Sequence, residues 1–297
     1  MKPLRIIAIV LILTATVAGY FYHQQMESRV IRLTPEVIAR LESETAAQDE
    51  SFIPVHREER ATSDYNPERN VYFGDLHVHT SLSFDSYLFG NRNGLDDAYR
   101  FANGLDLSIK TGEPVRLSRP LDFVAITDHA ESFAIPTVCQ SESPTEAQRE
   151  FCEEFENPSI FFFQELRRSG IKRPPQRNQR LCPDDAACLP AENTTWAMIK
   201  ETADKYYRPG EFTTFLAYEY SPVLPESGKV HRNVIFRNSQ APDHAVSAYD
   251  AETVLDLWRS LERDCREPCE ALTIPHNMNK MWGIAYSGLT IDGAPYS

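Results

Sequence analysis

The sequence predicts an α/β fold from about residue 71 onward, on three observations. Strand-like apolar runs alternate with helical runs along the chain. One of them, 121–127, is apolar almost throughout, the pattern of a parallel strand buried on both faces. Side chains able to bind metals recur at strand termini, where α/β sheets and barrels gather functional groups.

Taken in order, the chain opens with Lys2 and Arg5 ahead of an apolar run over 6–22. Thr16-Val17-Ala18 offers a small-residue cleavage site. Residues 1–22 therefore read as a signal peptide or, uncleaved, as a membrane anchor just long enough to span a bilayer. Lys2 and Arg5 would stay cytoplasmic and place the rest outside. The expected location is periplasmic, or anchored to the outer face of the inner membrane. Residues 23–70 read as a stalk, with a short helix opened by Thr34-Pro35-Glu36 and then mostly polar residues.

The domain spans 71–297. Its expected elements are a strand over 71–78, a helix over 94–103 ending in Asn-Gly, and a hairpin over 105–117 around Thr111-Gly112-Glu113-Pro114. A buried strand over 121–127 follows, then helix over 144–168 broken at Pro158. Residues 170–192 read as a Pro-, Arg- and Cys-rich loop, and 194–207 as a helix stopped by Pro209-Gly210. Strands over 213–218 and 230–236, a helix over 250–264 capped by Asp250, and a strand over 271–274 complete the series. No internal repeat or low-complexity tract interrupts it.

Composition narrows the function. A 42% hydrophobic and 11% aromatic chain has a core to build. With 30 basic and 43 acidic residues the net charge is −13, which argues against a nucleic-acid scaffold. It leaves room for a small phosphorylated substrate, since bound divalent ions can supply local positive charge. The six cysteines, an even number, suggest disulfides in an oxidising compartment. Sequence alone does not fix their pairing. The nearest-neighbour set, Cys139 with Cys152, Cys182 with Cys188 and Cys265 with Cys269, is the expectation.

The chemistry lies in the histidines. Tyr72-Phe73-Gly74-Asp75-Leu76-His77-Val78-His79-Thr80 ends a strand with His-x-His, and a period of two puts both imidazoles on one face. The next strand ends Ile126-Thr127-Asp128-His129, and a third ends Ala217-Tyr218-Glu219. A fourth begins at Val230-His231, and the last ends Ile274-Pro275-His276-Asn277. A single strand-end histidine is usually an ordinary hydrogen-bonding residue. Five of the eight histidines in such positions, with Asp128 and Glu219, point to a multinuclear metal site. His23, His56 and His244 fall in linker or loop segments and are expected to have no metal role.

At these residues the chain resembles the polymerase-and-histidinol-phosphatase (PHP) superfamily. The longer run Tyr-Phe-Gly-Asp-Leu-His-Val-His-Thr-Ser-Leu-Ser-Phe-Asp-Ser-Tyr-Leu-Phe-Gly, followed by Asp-Asp-Ala-Tyr-Arg-Phe-Ala, resembles a bacterial branch catalogued as domain of unknown function 3604. The resemblance implies a distorted seven-stranded (β/α) barrel holding two or three divalent ions: zinc, manganese or iron. It implies that His77 and His79 bind a first metal, that Glu219 bridges the first and second, that His231 and His276 complete the second, and that His129 serves a third. Asp128 would orient a ligand beside the reaction. Asp75 and Asp85 would support the site, Asp85 close to the third metal, and Asn277 would hydrogen-bond substrate or a ligand. The superfamily's closing Asp-x-His motif has no match after His276. The expectation is a barrel incomplete at its C-terminal end, the alternative being a divergent member with fewer metals.

The implied activity is that of an exported metal-dependent hydrolase, foremost a phosphoesterase in which a metal-activated hydroxide attacks phosphorus. Arg232 and Lys280 are candidate phosphate contacts, and segments 80–93 and 277–290 are candidate substrate walls. The alternatives are hydrolysis of an amide or a non-phosphorus ester, and an inactive PHP-like domain that binds a ligand.

Overall fold

The computed structural model describes residues 70–109, 112–172, 174–223 and 228–281. The expected export segment and nearly all of the stalk lie outside these, as do residues 282–290 of the segment 277–290. Among the described residues there are seven α-helices and eight short strands, and no helix is long and apolar enough to cross a membrane.

Strands β1 (Gly74–Val78), β4 (Phe123–Ile126) and β5 (Thr213–Phe215) form a parallel sheet in the order β1-β4-β5. Glycine at 74 is required by close approach, because a Cβ there would stand 2.3 Å from the Phe123 ring. Strands β6 (Ala217–Tyr220), β7 (Arg232–Phe236) and β8 (Ala271–Pro275) form a second sheet, antiparallel throughout. The two sheets meet past the end of the central strand β4, where β6 succeeds β5 as its neighbour. A parallel bridge links His129 to Glu219, and the Glu219 amide donates to the Asp128 carbonyl at 2.9 Å. The short pair β2 (Leu107–Ser108) and β3 (Pro114–Val115) stands apart, within the predicted hairpin.

The α/β class holds, but the expected distorted (β/α) barrel, incomplete at its C-terminal end, is replaced among the described residues by small sheets that form no closed barrel. The antiparallel bridge between Val223 and Lys229 turns the chain back, and β7 pairs antiparallel to β6. A parallel neighbour would need a crossover of a dozen residues or more. The strands nonetheless curl, so that the rings of His77 after Leu76 on β1 and His276 after β8 come within 4.1 Å.

The curl gives the strands an inner and an outer face. Inside, Leu76, Ala125, Phe215, Ala217, Ile235 and Ile274 form a small core. Outside, Tyr218, Val234 and Phe236 pack beneath helices α2 (Leu95–Ala102), α6 (Asp185–Tyr206) and α7 (Val254–Asp264), with Trp196 and Leu257 among the fully buried residues. Another cluster unites α3 (Ala134–Cys139), α4 (Glu146–Glu156), α5 (Ile160–Ile171) and the start of α6. There Phe151 and Phe155, four apart on one face of α4, stack on each other, each contributing about 2–3 kcal/mol by burial.

Several boundaries differ from the sequence reading for local reasons. The segment read as a loop to 192 turns helical at Asp185, because Asp184 caps it by accepting from the Ala187 amide. Pro190 is tolerated within α6, where Cys188 and Ala191 are drawn into the core. Helix α7 is capped by Thr253, not Asp250: Thr253 accepts from the Asp256 amide, while the Asp250 carboxylate is engaged elsewhere. Strand β1 begins at Gly74, after an exposed Val71–Phe73, and the short helix α1 (Phe84–Leu88) lies inside the predicted 80–93 loop. The break near Pro158 separates α4 from α5 as expected. All three cysteine pairs form with nearest neighbours, leaving no free cysteine.

Candidate metal centre

The inner face continues past the small core into a polar cluster, as the two-residue period requires. Ala217 is followed two residues later by Glu219, and Ile274 by His276. Ile235 leads back through Asn233 to His231, and Ala125 leads forward through Thr127 to His129. The same alternation turns Arg232 outward, where its guanidinium lies 5.2 Å over the Trp258 ring. Arg232, expected to contact phosphate, is therefore not brought to the site.

Glu219, 1% exposed, is the hub. Its Oε2 lies 2.8 Å from His79 Nε2 and 3.2 Å from His77 Nε2. Its Oε1 lies 2.5 Å from His231 Nδ1, 3.3 Å from His276 Nε2 and 3.5 Å from His129 Nδ1. Asp85 spans a second gap, its Oδ1 3.3 Å from His79 Nδ1 and its Oδ2 3.3 Å from His129 Nε2. Three groups result whose ligand atoms lie within 4.8 Å of one another: His77, His79 and Glu219; His129, Glu219 and His231; His79, Asp85 and His129.

Five imidazoles around one carboxylate are more than hydrogen bonding alone explains. His77 Nε2 and His79 Nε2 face each other at 3.0 Å, an arrangement in which two lone pairs repel unless a proton or a cation lies between them. His231 Nε2, His276 Nδ1 and Asn277 Oδ1 are shielded from water without a hydrogen-bond partner. Imidazole nitrogens mixed with carboxylate oxygens are the donor set of borderline divalent ions such as zinc, manganese and iron. The residues present fit such ions.

The electrostatics follow from the crowding. Burial would raise the Glu219 carboxyl, but the charge of His129 and the contacts from His231, His276 and His77 hold it well below the usual carboxylate range. Burial pulls His79 down, yet its contacts with Asp85 and Glu219 push it up to about 10. His129 is raised against its burial by Glu219 and Asp85, and Asp85 is held below its ordinary range by His129 and His79. In His231 burial outweighs the Glu219 contact, and the imidazole drops to about 4. Without metal, His79 therefore holds a proton at neutral pH.

Asp128 is buried and faces none of the ligand atoms. Its Oδ1 accepts from the Thr80 amide at 2.6 Å and from Ser83 Oγ at 2.8 Å, and its Oδ2 accepts from Thr80 Oγ1 at 2.7 Å. Ser83 Oγ in turn accepts from the His129 amide at 3.0 Å. Asp128 thus positions the turn that carries His79 rather than touching reacting atoms. Asp75 lies at the edge, accepting from the His77 amide. Lys280 reaches the wall of the adjoining cavity.

Two members were not evident from sequence. Ser221 Oγ donates to Glu219 Oε1 at 3.0 Å and lies 2.5 Å from His129 Nδ1; a serine two residues beyond a strand-end glutamate carries no distinguishing signal. Glu131 accepts from the Ser221 and Ala248 amides. Its signal was its place two residues after His129. Elsewhere, Glu192, His244 and Asp250 also converge, but the Arg177 guanidinium fills that position, 2.7 Å from both Glu192 and Asp250.

Fold and site together define a mixed α/β protein with buried histidine–carboxylate groups able to bind metal. The family described as "Protein of unknown function (DUF3604)" matches residues 66–297, and the chain belongs to it. No curated protein and no solved structure matches the chain.

Proposed function

We propose that this protein is an exported, metal-dependent hydrolase of phosphoesters, akin to the PHP superfamily. The observation that carries the reading is the sharing of Glu219 between two ligand groups, one with His77 and His79, the other with His129 and His231. A carboxylate shared in this way suits a pair of adjacent cations. Such a pair, when bound, activates water and stabilises charge on phosphoryl oxygens.

The chain's own contribution is placement. Glu219 and Asp85 compensate the charge of the imidazoles, and Asp128 fixes the turn after His79. Lys229 and Lys280, on the wall of the adjoining cavity, would offset the charge of a bound phosphoryl group. In the reaction the oxygen of water joins phosphorus, the ester P–O bond breaks, and the alcohol leaves with a proton.

Three disulfides fit an oxidising compartment. Periplasmic residence, with or without anchoring through residues 6–22, is the proposed location. The test of function is elemental analysis of the purified protein together with a phosphodiester and phosphomonoester screen. We expect two or three divalent ions per chain and turnover that His79→Ala abolishes along with metal binding. Metal-free protein, or turnover indifferent to His79→Ala, would sink the reading.

A further inference from the structure

Beside the metal centre lies a cavity of about 550 Å³, within the range of small-molecule sites. One wall is the centre itself: Asp85, His129, Ser221 and His231 line both. The rest of the lining is mainly apolar, from Phe84, Phe89, Ile135, Phe163, Leu166 and Tyr249, with Glu131, Asn178, Lys229 and Lys280 among them. We propose that the substrate carries a bulky apolar substituent, aryl or alkyl, which occupies this cavity while its anionic ester group sits at the histidines. The proposal rests on the phosphoester reading for the anionic end and on the cavity for the rest.

The continuity of the two walls makes the argument. A molecule held at His129 and His231 has its remainder directed either into bulk water or into this cavity. Polar substituents such as sugars would be poorly served there. Asn178, a polar side chain on the wall, is already committed: its Nδ2 donates to Glu165 and its Oδ1 accepts from the Arg180 amide. Ser132 Oγ accepts from the Phe84 amide. Glu131 Oε2 and the two lysines are the polar groups left on the wall, few partners for a sugar's hydroxyls that would lose water there. The aromatic rim points the same way. Phe89 is 87% exposed and Phe163 39%, although both border the cavity. An apolar ligand would cover them and recover hydrophobic energy. Lys229 and Lys280 provide positive charge on the same walls, and neither has an ion-pair partner among the described residues. The cavity therefore suits an apolar group joined to an anion.

Two measurements on the full chain test this. In the first, metal-loaded protein is assayed with nitrophenyl phosphodiesters whose second substituent is methyl or phenyl. We expect kcat/KM for the phenyl diester to exceed that for the methyl diester about tenfold or more. Phe163→Asp and Phe89→Asp should remove most of that preference, read as the ratio of the two kcat/KM values. The exposure of Phe89 makes its variant safe for folding. The second measurement needs no reaction: the fluorescence of 1-anilinonaphthalene-8-sulfonate, an apolar anion, should report a single saturable site that both variants weaken. Equal kcat/KM for the two diesters, or probe binding unmoved by both variants, overturns the proposal. Probe binding lost in the variants, with no phosphoester turned over by the wild type, leaves the apolar cavity standing and rejects the phosphoester reading instead.

Discussion

Replacing Glu219 with glutamine keeps the volume and one acceptor oxygen but removes the charge and the second oxygen that faces His77 and His79. Because Glu219 belongs to two ligand groups, the loss reaches both at once. An ion bound only by the folded chain, at a hundredfold excess over its dissociation constant, stabilises it by about 2.7 kcal/mol. Two ions that share Glu219 would together give about 5 kcal/mol. At about 2–4 °C per kcal/mol for a domain of this size, adding metal to chelator-treated wild type should raise Tm by about 10–20 °C. In Glu219→Gln the rise should shrink to less than half, each protein being compared with its own metal-free form. The assay is calorimetric unfolding with and without zinc or manganese, alongside elemental analysis. His244→Ala serves as the control, since His244 lies beside the Arg177 guanidinium rather than the centre. An undiminished rise in Glu219→Gln, at unchanged metal content, would refute the view that Glu219 joins two ions.

Metal binding must displace the proton that His79 holds with a pKa of about 10, so affinity should climb as pH rises from 7 toward 9. Calorimetry in buffers of differing ionisation enthalpy should show proton release at pH 7.5. In metal-free protein the raised His79 contributes stability that is complete below its unfolded value of 6.5 and lost as pH rises through about 10. His231, lowered to about 4, acts in the opposite sense: its contribution is present above 6.5 and fades as pH falls through 4. Urea denaturation of metal-free protein across pH, compared with His231→Gln, should therefore show reduced acid sensitivity in the variant. Asp128→Ala would orphan Thr80 and Ser83 donors in a buried pocket and should cost about 3 kcal/mol or more in the same assay. Replacing Cys139 and Cys152 together by serine should cost about 2–3 kcal/mol of denaturation free energy.

The cluster of histidines around Glu219 was legible because strand periodicity does most of the work. His-x-His shares a face whatever the rest of the fold, and strand-end positions bring His129, Glu219 and His276 to one rim. Nearest-neighbour disulfides were legible because short loops close readily. What resisted reading depended on tertiary competition. Asp250 has the form of a helix cap, yet Arg177, His244 and Ser247 claim its carboxylate. Pro190 reads as a breaker, yet core packing retains it inside α6. Arg232 reads as a neighbour of His231, but adjacency along a strand means opposite faces, and Trp258 receives it. The antiparallel second sheet turned on the bridge between Val223 and Lys229, which composition does not reveal.

The disulfides join cysteines only 13, 6 and 4 residues apart, so none ties together distant parts of the domain. The residues around Glu219 run from His77 to His276, nearly the whole described chain. Cations held there would be the domain's long-range staple, closing loops that sulfur leaves open. Oxidation would then secure local segments, and metal supply would decide whether the two sheets stay locked to each other. Stripping the protein of metal should expose the domain to proteolysis at the seam between β4 and β6 while every disulfide remains intact.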